Sequence, residues 1–427
     1  MRTNTLTITS NNLAYKNMNR ISSLIPNLFR TEYRKLVAVL CKVFGLSNIQ
    51  IAEDIVSDTF LLAAETWGKK GVPDNQVAWL YTVAKNRTRD YLKREKIRLQ
   101  KIEPELKNQQ NMAYELEVDL SQENIQDSQL QMMFAICHPS LTLESQIALA
   151  LRILCGFSID EIASALLTNK STTNKRLYRA KNSLRENEIA LEFPNDKEVE
   201  VRLEAVLTTL YLLFNEGYYS SNASKILRKD FCLEAMRLTL LLTQYATTNQ
   251  PKVNALLSLM CFHASRFEAR LDENSEFVLY HEQDKNLWNK GLVEKGEHYL
   301  NLSSKGSHLS KYHLEAAIAF WHTQEEEDEK WENILQLYNY LLQLEYSPIA
   351  ALNRTYALAK ANGKPQAIEA ALKIKLKNHH LYHSLLAELY EGMDAQKQVY
   401  HLQTALKMAK SDHEKKVISQ KINQVEK

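Results

Sequence analysis

The chain has 427 residues and a formal net charge of +2, with 53 Lys and Arg against 51 Asp and Glu. That length allows roughly two to four domains with sizeable cores, and near-neutrality excludes nucleic-acid binding by a global positive field, leaving local patches. Ten Gly and eight Pro are few for this length, and period-two alternation is scarce, so the expected class is all-α.

Five cysteines (Cys41, Cys137, Cys155, Cys232 and Cys261) form no C-x-x-C pair and no even disulfide framework, which fits a reducing compartment. The N-terminus lacks the apolar core of a signal peptide. The most apolar runs, near 205–214 and 238–242, are too short to span a bilayer. A soluble, cytoplasmic protein without membrane attachment is expected.

In chain order, residues 1–22 read as a frayed, disordered N-terminus and 23–96 as a helical domain. Within it, Ile51, Ile55, Phe60 and Leu62 supply a core side, while Asp54 and Asp58 stack at i,i+4 on another face. Like charges at that spacing cost about a few tenths of a kcal/mol in an isolated helix. The cost is surface noise unless a basic partner docks there. A turn-rich loop, Lys69 to Asn75, leads into a helix that carries Trp79, Tyr81 and Tyr91. From Lys85 to Lys101, eight basic residues face only Asp90 and Glu95. Aromatic faces stack on unpaired bases while cations track phosphates, a mixture suited to single-stranded or melting DNA. The bland alternative is that Trp79, Leu80 and Tyr91 are core. Residues 97–127, rich in Gln, Glu and Asn, read as a flexible linker.

Residues 128–192 contain SIDEIASALLTNKSTTNKRLYRAKNSLR. Ser158 and Glu161 have capping-box spacing, with Phe157 and Ile162 placed as a hydrophobic staple. Ile159, Ile162, Ala163, Leu166 and Leu167 form a helical stripe. Thr168 to Ser171 break the helix, and Ser171 or Thr172 is expected to cap the next. The second helix turns Leu177 and Ala180 inward and carries Lys175, Arg176, Arg179, Lys181 and Arg185. Helix, short turn and basic helix is the geometry of a major-groove reader, and equally of an αα-hairpin with a solvated basic face.

Taken together, AEDIVSDTFLLAAETW, VAWLYTVAKNRTRDYLKRE and the later RLYRAKNSLRE resemble regions 2.2 to 2.4 and region 4 of extracytoplasmic-function sigma factors of the sigma-70 family, over residues 22–188. The resemblance implies that Glu53, Asp54 and Asp58 dock on the β′ clamp helices of core RNA polymerase, with the β flap as a second contact. It implies that Lys69 to Asn75, with Trp79, Asn86, Arg87 and Arg94, melt and read the −10 element of promoter DNA. Ser171, Thr172, Thr173, Asn174 and Lys175 then fall at the end that reads the −35 element. Arg176, Arg179 and Lys181 fall toward phosphates, setting register and salt dependence. No catalytic residue, metal or cofactor is implied.

Phe193 to Asp196 reads as a domain boundary, and 193–427 as stacked amphipathic helices. Gly217 and Gly363 are expected helix stops, Ser347-Pro348 a helix start, and Gly392 with Asp394 a further break. The recurrence of helix pairs at roughly thirty residues suggests tetratricopeptide-like stacking. FNEGYY, LYHEQDKNLWNKGL and SPIAALNRTYALA are similar to segments of sigma factors with such an extension. The resemblance implies a fused regulator that contacts the sigma domains intramolecularly. His379, His380 and His383 have spacing that could hold a metal, but no HExxH-type carboxylate accompanies them; solvated helix histidines are the simpler reading. The acidic run from Glu325 to Glu329 reads as a solvated turn.

The expected architecture is therefore all-α: a sigma region 2 domain, a region 4 helix-turn-helix domain and a helical, TPR-like C-terminal domain. The alternative is a helix-turn-helix regulator with a helical sensor domain that acts on duplex DNA without replacing sigma. It would need neither the acidic helix nor the aromatic-basic one. A helical hydrolase would need a convergent acid, base and nucleophile, which the sequence does not offer.

Overall fold

In a computed structural model the described residues are 4–102, 118–166, 168–218, 229–272, 278, 280–306, 308–325, 329–409 and 412–425. The core of the expected linker (103–117), Leu167, Tyr219 and the middle of the acidic run (326–328) lie outside them. The described residues form helices and no sheet, in two compact units, Met1–Leu213 and Phe214–Lys427.

The first unit opens with α1 (Asn4–Phe44). The helix starts within the stretch expected to fray and runs on through Pro26. Helix α2 (Ile49–Lys70) buries Ile49, Ala52, Val56, Phe60, Ala63 and Trp67. It stops at Gly71, whose φ of +89° suits glycine and whose N–H donates to the Trp67 carbonyl. Helix α3 (Gln76–Ile102) is capped by Asn75, which accepts from the Ala78 N–H at 2.9 Å. Leu80, Ala84 and Thr88 form its buried stripe. Phe60 and Ile55 are core as expected, whereas Ile51 and Leu62 are only half-buried. Ser121 caps α4 (Gln122–Ile136) and Thr142 caps α5 (Leu143–Leu149). After α5 the backbone widens into a π turn over Ala150–Leu154, closed by the Cys155 N–H on the Ala150 carbonyl. Then follow α6 (Ile159–Ala165) and α7 (Lys170–Glu186).

Helix α8 (Asp196–Tyr218) follows the expected boundary. Phe193 to Asp196 is a turn, and the helix after it is tied to the first unit. Phe193 packs edge-on against Phe134, Arg202 donates to the Phe134 carbonyl at 3.0 Å, and Thr209 donates to Gln146 Oε1 at 2.9 Å. The compact units divide inside α8, after Leu213. Gly217 lies within this helix rather than after it. A glycine can be tolerated in a helix at a cost of about 1 kcal/mol.

The second unit continues with α9 (Lys229–Leu242), α10 (Pro251–Ser265), α11 (Lys290–Ser303), α12 (Lys311–Thr323) and α13 (Lys330–Leu344). It ends with α14 (Pro348–Asn362), α15 (Lys364–Leu372), α16 (His380–Tyr390), α17 (Ala395–Met408) and α18 (Asp412–Val425). Helices α10 and α11 touch closely at Gly296: a Cβ there would lie 2.6 Å from the Phe262 ring, and Ser258 donates to its carbonyl at 2.7 Å. From α12 to α18 each helix packs on its sequence neighbour, around a core of Leu314, Ile334, Leu352, Ala371, Tyr382 and Leu386 and a smaller one of Leu402, Ala405 and Ile418. The punctuation read from sequence holds here. Ser347 accepts from the Ala350 N–H ahead of Pro348, Gly363 ends α14 at φ +93°, and Asp394 caps α17.

Candidate nucleic-acid interface

The capping box is formed as the sequence predicts: Ser158 accepts from the Glu161 N–H, and Glu161 accepts from the Ser158 N–H at 2.8 Å. Phe157 and Ile162 are fully buried beneath it. The cap of α7 differs from expectation. Asn169, not Ser171 or Thr172, accepts from the Thr172 N–H at 2.8 Å. All three residue types are good caps, and the choice falls to the residue at which the chain turns. Moving the cap upstream adds Ser171 and Thr172 to the first turn. Ser171, Thr172, Asn174 and Lys175 are exposed there. Thr173 is not: it is 1% exposed and its hydroxyl pairs with that of Thr168 at 2.8 Å. Thr173 therefore holds the turn between α6 and α7. Leu177, Ala180 and Leu184 anchor the inner face of α7, Arg179 is exposed, and Arg176 is half-buried.

On α3 the aromatic residues face inward more than the sequence suggests. Trp79 is half-buried, its ring 5.4 Å edge-on from Trp67. The Tyr81 hydroxyl donates to Glu32 at 2.7 Å, and its pKa is raised by burial and by that carboxylate. Tyr91 packs edge-on against Phe44 at 5.5 Å. Asn86 and Arg94 are exposed, and Arg87 reaches Asp58 on α2. The polar edge of α3, rather than its aromatic rings, is what the first unit presents to solvent.

The three acids of α2 expected at the docking face separate. Asp54 and Asp58 are exposed, and Asp54 has its pKa raised by partial burial and then by the neighbouring Glu53 and Asp58 charges. Glu53 is 7% exposed and points into the unit. Its carboxylate accepts from the Tyr33 hydroxyl at 2.9 Å and from Arg152 Nε at 3.2 Å, and it is paired with Lys181 Nζ. Arg152 also lies over the Tyr33 ring at 5.0 Å and donates to the Phe157 carbonyl. Burial, and then the adjacent Glu53, raise the Tyr33 pKa well above the ordinary phenol value. A buried carboxylate is tolerable only when paired, and stripping one partner from a buried pair costs about 3–5 kcal/mol. Sequence spacing put Glu53 with the other acids, but its helical neighbours Ile49 and Val56 are both core. Arg152, Tyr33 and Asn169 were not visible as partners.

Residues 28–97 match the family described as Sigma-70 region 2, and residues 133–184 match Sigma-70, region 4. The chain is an ECF-like sigma factor of the sigma-70 family. Such factors are DNA-binding, non-enzymatic subunits of transcription initiation, with core RNA polymerase and promoter DNA as general partners. Region 2 of this sigma factor is built on α1 to α3, and region 4 on α4 to α7. The chain is 33% identical over 352 residues to an uncharacterized protein of Rhizobium meliloti (strain 1021), covering 81% of this chain and 83% of that relative. Residues 202–304 match a family of unknown function (DUF6596). No solved structure matches. No helix among the described residues is long and apolar enough to cross a membrane.

Proposed function

We propose that this sigma factor docks the exposed acids Asp54 and Asp58 of α2 on the β′ clamp helices and contacts the β flap through region 4. The polar edge of α3, with Asn86, Arg87 and Arg94, then holds the opened −10 element. The exposed N-terminal end of α7, with Ser171, Thr172, Asn174 and Lys175, reads the −35 element in the major groove. Arg176 and Arg179 contact phosphates, while Trp79 forms a wall rather than a free stacking platform. The second unit acts as a fused, TPR-like regulator whose contacts with the sigma regions set activity, and the protein works in the cytoplasm.

The observation that carries the reading is the N-terminal end of α7. Its four exposed polar side chains project from a helix whose opposite face, Leu177, Ala180 and Leu184, is fully anchored. A helix presented end-on by a packed support is how helix-turn-helix readers enter the major groove. The test is run-off transcription with purified core polymerase and the full chain on a genomic promoter library. Transcripts sharing −10 and −35 sequences are expected; output no higher than core enzyme alone would overturn the reading.

A further inference from the structure

At the end of α10 the second unit gathers a positive charge and hydrogen-bond donors that nothing in the fold matches. Arg266, the residue that follows α10, is half-buried. Its Nη2 donates to the Tyr218 hydroxyl and to His263 Nδ1, each at 3.1 Å. Its guanidinium carbon lies 5.3 Å from the centre of the Tyr280 ring and 5.9 Å from that of Trp288. Backbone contacts hold these rings in place. The Tyr280 hydroxyl donates to the His322 carbonyl, and the Asn289 N–H donates to the Ser265 carbonyl at 2.8 Å. No carboxylate pairs with Arg266 among the described residues, and its Nη1 and Nε are unbonded there without being sealed from solvent. Trp288 is 8% exposed, and its Nε1–H is buried with no acceptor among the described residues.

Bare polar groups of this kind cost the folded chain unless something else satisfies them. What they lack is an acceptor that carries negative charge. Arg270 and Lys330 already donate to the Tyr218 and Gln324 carbonyls, at 3.0 Å each, whereas Arg266 keeps open donors. Burial and then nearby cations keep His263 and His322 neutral, so the local potential is positive. One open guanidinium matches a single charge, and the flanking rings suit a flat carbon body better than a strongly hydrated phosphate dianion. We infer that Arg266 anchors a binding site for a small aromatic carboxylate, with the Trp288 N–H as a second donor. Tyr218, His263, Arg266, Tyr280 and Trp288 all fall in residues 202–304, the match to the family of unknown function. Tyr218, Tyr280 and Trp288 also belong to the FNEGYY and LYHEQDKNLWNKGL segments, which neither sigma region explains. The site gives the fused regulator proposed above its ligand class, and only the ligand's effect on transcription rests on that reading.

The test is calorimetric titration of the full chain with sodium benzoate, with inorganic phosphate and sodium chloride at equal ionic strength as separate arms. Benzoate should bind saturably, one per chain, and raise the melting temperature, as a ligand of the folded state must. Chloride should do neither. Arg266→Gln should weaken benzoate at least about tenfold, since it removes the charged donor. Trp288→Phe keeps a ring but loses the N–H, and should weaken benzoate about three- to tenfold. It carries the test if Arg266→Gln lowers the melting temperature of the free chain. Absence of saturable benzoate binding, or unchanged affinity in the variants, overturns the site. Phosphate binding more tightly than benzoate overturns the carboxylate assignment. Run-off transcription with core polymerase, with and without saturating benzoate, separates this inference from the regulatory reading. Benzoate that binds through Arg266 but leaves output unchanged confirms the site and counts against the regulator alone.

Discussion

Arg87 on α3 donates to Asp58 on α2 at 3.0 Å, joining a residue assigned to promoter DNA with one assigned to polymerase. The Arg87 and Asp58 side chains are 36% and 59% exposed. A pair this open to water is worth less than about 1 kcal/mol and weakens further in salt. It can therefore be given up without cost to the fold when either residue meets its own partner. Glu53, five residues before Asp58, is in the opposite situation, since its pairs are enclosed.

That contrast predicts the behaviour of charge reversal on α2. Asp54→Lys with Asp58→Lys should leave the thermal melt within about 1 kcal/mol of the parent. The same variant should lose tenfold or more in affinity for core polymerase, equivalent to at least about 1.4 kcal/mol. Arg87→Ala breaks the same surface pair but keeps both acids, and should bind core enzyme as the parent does. Equal core affinity for the parent and the double variant in a titration removes the docking assignment.

On α7, reading and holding should separate. Asn174→Ala and Lys175→Ala should change which −35 sequences are used. Arg179→Ala should weaken all promoters alike and reduce the salt slope by about 1. Thr173→Val, just before these two reading residues, should leave preference intact and destabilise region 4 by about 1 kcal/mol, because it removes the hydrogen bond to Thr168. A binding-site selection with each variant is the measurement. A preference change from Arg179→Ala without one from Asn174→Ala would mean that the reading end lies elsewhere on the helix.

Local signals were legible where a few adjacent residues decide the outcome. The capping box at Ser158 and Glu161, the stop at Gly363 and the caps at Ser347 and Asp394 each need only one helical turn of sequence. What escaped depends on distant partners. Glu53 reads as one of three surface acids until Arg152 and Lys181, 99 and 128 residues further on, come to meet it. The amphipathic Trp79, Tyr81 and Tyr91 could serve DNA or core, and Trp67, Glu32 and Phe44 decide for packing. Phe193 to Asp196 looks like a boundary because turns and linkers share the same residues. Only the contacts of Arg202 and Thr209 reveal that the first part of α8 packs on region 4.

Those contacts give different expectations for two truncations. A fragment ending at Tyr218 keeps all of α8, whereas one ending at Glu192 strips it away. The shorter fragment leaves Gln146 Oε1 without Thr209 and bares the apolar face of α8's partners in region 4. Lost hydrogen bonds at about 1 kcal/mol each and lost apolar burial together should lower stability by at least about 2 kcal/mol. Chemical denaturation of the two fragments should place the 1–218 midpoint well above that of 1–192. Coincident midpoints would assign α8 to the second unit alone. A change in transcription caused by removing the regulator is then to be measured with the longer fragment, so that damage to region 4 is not mistaken for regulation.

The second unit should lose stability in acid through two histidines. His322 lies 5.0 Å edge-on from Tyr280 and 5.9 Å from Trp331, and its Nδ1 has no hydrogen-bond partner among the described residues. Burial, then Arg266 and Lys330, push its pKa down to about 3. Burial, then Arg266, Arg270 and His322, hold His263 well below the ordinary imidazole value. Both are neutral in the folded chain, while an unfolded histidine titrates near pH 6.5. Above that pH the two states bind the same protons and stability is flat. As pH falls below it, the unfolded chain takes up protons that the folded chain refuses, so stability drops by up to about 1.4 kcal/mol per pH unit for each histidine. For His322 the loss continues until its folded pKa, about 3. His322→Phe preserves the ring contacts and cannot titrate. Denaturation midpoints of the full chain between pH 7 and pH 5 should therefore fall less steeply for His322→Phe than for the parent, by up to about 1.4 kcal/mol per unit. Parallel slopes for the two proteins would mean that His322 accepts its proton without unfolding and that the acid sensitivity of the unit has another source.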